Sequence, residues 1–401
     1  MKKKICGIIV EWNPLHNGHV YHINESLRKT GADGIVAVMS GNFVQRGEPA
    51  IVDKYERVRA ALALGVDVVL ELPVAYATSS AKIFAQAAVR LLGDSGVVDS
   101  FCFGSEAGDI AALERVARIL EDEPDEFKKG LRRGLDKGMS FAKSRADALA
   151  AMSTDFGDII GKPNNILAIE YLIARNKYAP YMQAATIGRK LVEHHSVEFV
   201  NNFASATAIR RGIGANGLQS MALYMPPASL TAVAEQDKAC GLNHINNFSH
   251  ILHYIMEITP KKTLTQMAEI TEGLENRIHA AAAEHFLISD IITACATKRY
   301  TNTTISRAIL HILLGITKRE ARGSGQYLRV LGFRKQSADI VKAMARQASI
   351  PIVTNLQSSS RLPDTARIRL ERDMQLSRMY WQGLRSAGGC TKDELTAPII
   401  V

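Results

Sequence analysis

The chain has 401 residues, of which 47% are hydrophobic and 22% charged, and its formal net charge is +9. This composition excludes a disordered or collagen-like chain and predicts a globular protein long enough for two domains. Five scattered cysteines without a Cys-x-x-Cys pair argue against a zinc or disulfide scaffold. With neither a signal peptide nor an apolar run of membrane-spanning length, we expect a cytoplasmic protein without membrane contact, and the basic balance favours a polyanionic partner.

The first 110 residues alternate short apolar runs with amphipathic helical patterns. Four runs are rich in β-branched residues, as is typical of strands buried on both faces of a parallel sheet: residues 5–10, 35–39, 66–72 and 97–103. Helical patterns separate them at residues 20–29, 53–64 and 80–92. The alternation predicts an α/β fold with a doubly wound parallel sheet, which binds ligands where its strands end.

The first predicted strand ends at a proline, and His16-Asn17-Gly18-His19 follows before a helical stretch. A tight turn between a strand and a helix N-terminus is a typical phosphate site, because free backbone N–H groups and the helix dipole both favour an anion. Gly18 would allow a phosphate close to the backbone, and His16 and His19 would donate hydrogen bonds to its oxygens. The alternative, a polar loop with two surface histidines, fits this position poorly.

Polar loops follow the other predicted strands and are expected at the same edge of the sheet. A loop at residues 40–49 follows the second strand, Gly104 follows the fourth, and Arg189 follows a later strand. Asn164 and Asn165 open a helix, where they either cap it or read an adenine or ribose edge. With the His-x-Gly-His turn and Glu71-Leu72-Pro73 after the third strand, these loops predict one ligand site rather than unrelated turns.

Ser205, Thr207 and Arg210 lie at the start of a later predicted helix. The two hydroxyls are typical helix caps, but beside an arginine they also form a second phosphate-binding element. This element would complete a first domain, residues 1–215, that binds the nucleotide. Within it, residues 111–160 have the pattern of a charged helical insertion.

Residues 216–401 have the pattern of a mostly α-helical domain, and no strand is recognised there. Its cations surround the aromatic residues Tyr327 and Phe333, which favours phosphate binding combined with stacking on unpaired bases. A solvated basic face is the alternative. The predicted nucleic-acid contacts are Lys298, Arg299, Lys318, Arg319, Arg322, Arg329 and Arg334.

Five stretches carry a more specific signal: Glu11-Trp12-Asn13-Pro14-Leu15-His16-Asn17-Gly18-His19, Met39-Ser40-Gly41-Asn42-Phe43-Val44-Gln45-Arg46-Gly47-Glu48-Pro49, Phe103-Gly104-Ser105-Glu106, Pro163-Asn164-Asn165-Ile166-Leu167 and Ser205-Ala206-Thr207-Ala208-Ile209-Arg210. In this order they resemble the bacterial tRNA(Met) cytidine acetate ligase family, which has a Rossmann-like nucleotidyltransferase core. The resemblance implies an ATP-dependent ligase that activates acetate as acetyl-adenylate and acetylates N4 of the wobble cytidine of elongator tRNA(Met). AMP and pyrophosphate are released, and the anticodon arm of the tRNA is the expected partner.

The resemblance also implies the residues of the ATP site, with His16 and His19 as the catalytic pair. Mg²⁺ is expected to accompany ATP, although no carboxylate cluster indicates a metal site. The predicted nucleotide-binding residues are Ile9, Val10, Glu11, Trp12, Asn13, Pro14, Leu15, His16, Asn17, Gly18, His19, Val20, Tyr21, His22, Gly104, Asn164, Asn165, Arg189, Ser205, Thr207 and Arg210.

Two other functions remain open from the residues alone. A small-molecule adenylyltransferase would share the His-x-Gly-His core, but it does not account for the long basic helical half. A non-catalytic RNA-binding module on the same fold is disfavoured, because both phosphate elements are intact in the sequence. The sequence gives no indication of the oligomeric state.

Overall fold

The computed structural model describes residues 3–139, 141–189, 202–271, 273–297, 300–322, 326–384, 394 and 397–401. Its strands are β1 Ile5–Val10, β2 Gly34–Ser40, β3 Phe43–Val44, β4 Glu48–Pro49, β5 Val68–Leu72, β6 Ser100–Ser105, β7 Gln183–Gly188, β8 Leu328–Phe333, β9 Ile352–Val353 and β10 Ile399–Ile400. Its α-helices are α1 Asn17–Thr30, α2 Lys54–Ala63, α3 Val74–Ala77, α4 Ala81–Asp94, α5 Ile110–Asp122, α6 Asp125–Asp136, α7 Phe141–Met152, α8 Thr154–Ile160, α9 Pro163–Tyr178, α10 Ala206–Asn216, α11 Pro227–Cys240, α12 Ser249–Ile258, α13 Lys261–Leu264, α14 Leu274–Glu284, α15 Ile288–Cys295, α16 Asn302–Leu314, α17 Lys318–Ala321, α18 Ala338–Gln347 and α19 Asp364–Met379.

One mostly parallel sheet organises the described residues. Seven of its strands lie in the order β10-β8-β5-β2-β1-β6-β7, and β9 pairs with β8. The five strands from the first half, β5, β2, β1, β6 and β7, are mutually parallel. The chain adds parallel strands on both sides of the central strand β1, and the connections between them place helices on both faces of the sheet. This arrangement confirms the predicted doubly wound α/β fold.

The expectation that every strand precedes residue 215 is wrong for β8, β9 and β10. Strand β8 lies antiparallel to β5 and therefore extends the same sheet from the second half of the chain. The strand contains Arg329 and is flanked by further basic residues. These charges favour a surface segment, although the rest of the run is apolar and typical of a strand. The fold resolves this conflict because Arg329 is buried in ion pairs with two acids, which makes the strand compatible with the interior.

Hydrophobic clusters cover both faces of the sheet. On β1, Ile5 belongs to the cluster that includes α4 and α9, whereas Cys6, Ile8 and Val10 belong to the cluster that includes α1 and α2. This alternation follows the two-residue period of a strand. The strand ends are thereby held at fixed positions, which gives the loops that follow them a rigid base.

The helices of the second half enclose a separate hydrophobic cluster. Phe43, Val74 and Ala75, which follow the ends of β2 and β5, are part of this cluster. The loops at one edge of the sheet are therefore packed directly against the helical half. No helix among the described residues is both long and apolar enough to span a membrane.

Candidate nucleotide site

The carboxyl ends of neighbouring parallel strands bring the predicted loops to one edge of the sheet. Strand β1 leads into residues 11–19, which we call the His turn, and β2 leads into the 40–49 loop. Strands β6 and β7 pair up to Ser105 and Gly188, so Glu106 and Arg189 leave the sheet side by side. The predicted convergence of these loops therefore exists in the fold.

The two histidines of the His turn are oriented by backbone N–H groups. His16 is the N-cap of α1, and its Nδ1 accepts from the Gly18 N–H at 3.1 Å. The Nδ1 of His19 accepts from the His16 N–H at 3.2 Å, and the two rings stack with their centroids 3.8 Å apart. Because each Nδ1 is an acceptor, the proton of each neutral ring lies on Nε2.

Desolvation holds the pKa of His19 well below its usual range, and the neighbouring His16, Arg189 and His22 lower it further. Desolvation and Arg189 also lower the pKa of His22 to about 4. His19 and His22 are therefore neutral at physiological pH. A neutral imidazole with its proton on Nε2 is a hydrogen-bond donor that does not need an extra proton.

Gly18 has a steric role within this arrangement. A Cβ atom at Gly18 would lie 2.9 Å from Cε1 of His16, closer than side-chain contacts normally come. The glycine thus makes room for the ring of His16, in addition to the predicted close approach of a phosphate, which stays a prediction. Asn17 binds the carbonyls of Asn202 and Leu223 through its Nδ2, at 2.9 and 3.0 Å, and ties α1 to the chain before and after α10.

Most apolar side chains of the predicted nucleotide segment pack against the hydrophobic clusters of the sheet. Tyr21 is exposed, and its ring meets Phe203 edge-on at 6.4 Å. Glu11 accepts from the Gln45 N–H at 2.6 Å, and desolvation raises the pKa of its carboxyl group. The buried residues are Val10, Trp12, Pro14 and Leu15, and two others are half-buried against the hydrophobic clusters: Ile9 and Val20.

Arg210 connects the second predicted phosphate element to the His turn. Its Nη1 donates to the carbonyl of Asn13 at 2.7 Å, and its Nη2 lies 2.5 Å from Oε1 of Glu48 in the 40–49 loop. Ser205 caps α10, with its Oγ accepting from the Ala208 N–H at 3.1 Å. Thr207 is half-buried at the start of the same helix. The structure thus brings both predicted elements to one place.

A second group of predicted residues surrounds Glu106, which sequence analysis gave no role. Its carboxylate accepts from the backbone N–H groups of Asn164 and Asn165, at 3.2 and 2.8 Å, and so caps α9. Arg189 donates to Oδ1 of Asn164 at 2.8 Å. A Cβ at Gly104 would lie 3.4 Å from the aliphatic part of Arg189. Gly104, Asn164 and Arg189 are therefore adjacent.

Asn165 differs from Asn164 because its side chain is committed to the protein. It is 2% exposed, its Oδ1 accepts from the Ala107 N–H at 3.0 Å, and its Nδ2 donates to the Ile159 carbonyl at 2.9 Å. The amide therefore holds two loops together. This structural role differs from the helix cap that sequence analysis gave as the alternative, because Glu106 supplies the cap of α9.

The predicted nucleic-acid contacts fall into distinct environments. Arg319 and Arg322 are exposed, whereas Lys318 donates to the Thr265 carbonyl at 2.7 Å and Arg334 lies 3.6 Å from Asp67. Two further predicted contacts lie outside the described residues: Lys298 and Arg299.

Arg329 is a correction. It is 4% exposed and forms ion pairs with Glu71 at 3.1 Å and Glu394 at 2.7 Å, beside Lys54, which pairs with the same two acids. A side chain enclosed in such a cluster cannot meet a polyanion at the surface, so the prediction that it contacts nucleic acid is wrong. Its ion pairs leave the buried strand β8 without an unpaired charge at this position.

The chain matches the HIGH Nucleotidyl Transferase family over residues 3–392. The tRNA(Met) cytidine acetate ligase of Caldanaerobacter subterraneus subsp. tengcongensis is 41% identical over 380 residues, which cover 93% of this chain and 94% of that protein. The protein of the same name from Clostridium kluyveri is 37% identical over 417 aligned positions and 99% of both chains.

The fold is also similar to that of solved structures. A crystal structure of Thermotoga maritima TmcAL in its apo form has a TM-score of 0.93 and 33% identity over 99% of both chains. A crystal structure of the same protein bound with alpha-thio ATP has a TM-score of 0.88, again with 33% identity, and covers 96% of this chain and 95% of that one. The chain therefore belongs to the HIGH nucleotidyltransferase family and, within it, to the tRNA(Met) cytidine acetate ligases.

Proposed function

We propose that this protein is an ATP-dependent ligase that activates acetate as acetyl-adenylate and transfers the acetyl group to N4 of the wobble cytidine of elongator tRNA(Met). The observation that carries the proposal is the placement of two imidazoles, each with its Nδ1 bound to the backbone, at the N-terminus of α1, with Arg210 binding the same turn. Family membership supports the substrates, because the relatives are named for acetate and tRNA(Met).

The His turn suits the first step, in which a carboxylate oxygen of acetate attacks the α-phosphorus of ATP. The bond between this phosphorus and the oxygen that bridges it to the β-phosphate breaks, and pyrophosphate leaves with the electron pair. Negative charge grows on the leaving group. The Nε2–H groups of His16 and His19, the free N–H groups of α1 and the guanidinium of Arg210 would stabilise that charge. The chain need not supply a nucleophile, because acetate is the nucleophile.

In the second step, the N4 amine of cytidine attacks the carbonyl carbon of acetyl-adenylate. The bond from this carbon to the phosphate oxygen breaks, AMP leaves with the electron pair, and N4 releases one proton to the solvent. A wobble base is already single-stranded in an anticodon loop, so little energy is needed to expose its amine. We assign residues 1–215 to the nucleotide and acetate, and residues 216–401, with exposed Arg319 and Arg322, mainly to the anticodon arm.

Adenine or ribose recognition would fall to the group around Glu106. Asn164 and Arg189 are joined there by a hydrogen bond, and Gly104 leaves space beneath the arginine. Mg²⁺ would accompany the phosphates of ATP, as is common for this ion.

The proposal is tested with radiolabelled acetate, ATP and the full-length protein. Elongator tRNA(Met) is compared with a matched transcript in which uridine replaces the wobble cytidine. We expect label in the first RNA only, recovered as N4-acetylcytidine after nuclease digestion, together with one AMP and one pyrophosphate per acetyl group. Equal labelling of both RNAs would contradict the assigned base. Pyrophosphate release without labelled RNA would instead indicate a small-molecule adenylyltransferase.

A further inference from the structure

Arg57, in α2, is an unusual buried cation. It is 2% exposed, yet it forms no ion pair with an acid in the part of the chain that the structure describes. Among the described residues, all of its hydrogen bonds go to backbone carbonyls. Nε donates to Val52 at 3.1 Å, Nη1 donates to Glu11 at 2.6 Å and to Ser40 at 3.1 Å, and Nη2 donates to Gly41.

Three of these carbonyls, those of Glu11, Ser40 and Gly41, lie where the ladder between β1 and β2 stops. The last paired residues of the two strands are Val10 and Met39. Glu11 and Ser40 are the next residues along each strand, and a single nitrogen of Arg57 binds both of their carbonyls. The guanidinium thus extends the strand pair by one step, at the point where the chain diverges into the His turn and the 40–49 loop.

The cost of burying Arg57 argues against a purely stabilising role. Desolvation lowers the pKa of its guanidinium to about 10, which shows that the interior disfavours the charged form. An apolar side chain of similar length would fill the same space without that cost. What the guanidinium supplies, and an apolar side chain cannot, is a fixed direction for several carbonyls at once.

Both segments that Arg57 holds lead to groups of the candidate site. The carboxylate of Glu11 binds the Gln45 N–H of the 40–49 loop, and Glu48 of the same loop binds Arg210. Arg210 in turn binds the Asn13 carbonyl in the His turn. A shift between the ends of β1 and β2 would therefore change where the histidines lie relative to Arg210.

We infer that Arg57 is a positioning residue of the nucleotide site, which clamps the ends of β1 and β2 so that the His turn and Arg210 face the same phosphates. The identity of the ligand rests on the proposed function. The hydrogen bonds by which Arg57 holds the two strand ends are present in the protein without ligand. Arg57 does not touch the substrate in this account. Its effect on binding and catalysis passes through the backbone of Glu11, Ser40 and Gly41.

The test compares the wild type with Arg57→Lys and Arg57→Met. The lysine variant keeps the charge, but one ammonium group cannot span the ends of both strands, and the methionine variant remains usable if the lysine variant fails to fold. Leu172→Ala is the matched control, because it removes a fully buried side chain from the cluster on the α9 face of the sheet. Two quantities are measured: hydrogen exchange of the ligand-free protein and the Kd for ATP without acetate.

We expect about tenfold faster exchange in peptides covering residues 11–19 and 41–49, and an ATP Kd raised about tenfold, in both Arg57 variants. Leu172→Ala should leave the exchange rate of these peptides and the ATP Kd within about twofold of the wild type. This should hold even if its melting temperature falls as much as that of the Arg57 variants. Unchanged exchange and Kd in Arg57→Met, or an equal loss in Leu172→Ala, would overturn the clamp. If the wild type does not bind ATP, the proposed function fails, while the exchange comparison still decides the role of Arg57.

Discussion

The His turn and the basic segment at residues 318–334 both have sequences that predict ligand contacts, but the fold uses them differently. In the His turn, the Nδ1 atoms of His16 and His19 bind backbone N–H groups that are two and three residues away in the chain. The geometry is therefore local. In the basic segment, Arg329 is enclosed in the sheet, whereas Arg319 and Arg322 are exposed. A motif whose hydrogen bonds are local can be recognised from sequence. Positive charge alone does not reveal whether a residue is exposed or buried.

Arg329→Met should produce the largest effect in the basic segment, on stability rather than on RNA binding. The change leaves Glu71 and Glu394 with Lys54, and breaking a buried ion pair in this way costs about 3–5 kcal/mol. We expect the free energy of unfolding, measured by urea titration, to fall by this amount. A variant of wild-type stability that binds tRNA more weakly would contradict the buried position of Arg329.

His19→Ala should lower the rate of acetate-dependent exchange between ATP and pyrophosphate by about 10²–10³-fold, which is the cost of one lost transition-state donor. Exchange is measured without tRNA, and the melting temperature is measured in parallel. The control is His250→Ala, which removes an exposed histidine from α12 in the helical half. Near wild-type exchange in His19→Ala would exclude this ring from the mechanism.

Replacing Arg319 and Arg322 together with alanine should weaken tRNA binding and reduce the salt slope of its binding constant by about 1–2. Acetate activation without tRNA should stay at its wild-type rate. Lys128→Ala with Arg133→Ala removes the same charge from the exposed side of α6 and is the matched control. An equal effect of the two double variants would mean that the response reflects net charge, with no defined surface for the anticodon arm.

Glu48→Gln should have the smallest effect of these changes, and it should strengthen ligand binding where the other variants lose stability, activity or affinity. Glu48 is the carboxylate bound to Arg210, and glutamine keeps an acceptor while removing the negative charge. We expect inorganic pyrophosphate to bind about threefold to tenfold more tightly, because one repulsive charge beside the phosphates is lost. The measurement is isothermal titration calorimetry. Weaker binding would show that the charge of Glu48 is needed to orient Arg210.

Sequence reasoning worked best where one stretch of chain contains its own geometry. The strand, the turn and the helix that carry His16 and His19 are contiguous, so periodicity and turn residues were sufficient to predict them. The same holds for the serine cap and arginine of α10. The convergence of these loops followed from the parallel strand order, because successive strand ends meet at one edge.

Contacts between distant residues were not predictable in the same way. Glu106 caps a helix that begins 57 residues later, counting from 106 to 163, and no local pattern marks it as a cap. Arg57 has the sequence context of an ordinary helical arginine, and only the fold shows the carbonyls around it. Strand β8 was missed because a charged residue in a short apolar run is informative only once its partners are known.

We propose that the neutral ring of His19, at the N-terminus of α1, donates to the phosphates of ATP. Nitrogen NMR of protein labelled at histidine tests it directly, because the spectra report the charge and the tautomer of each ring. Since the pKa of His19 lies well below 6.5, we predict that its ring stays neutral, with the proton on Nε2, as the pH falls from about 8 to 5.5, and that ATP shifts this Nε2–H signal. A His19 ring that gains a proton near pH 6.5, carries its proton on Nδ1 or does not respond to ATP would exclude it as a neutral donor to the phosphates.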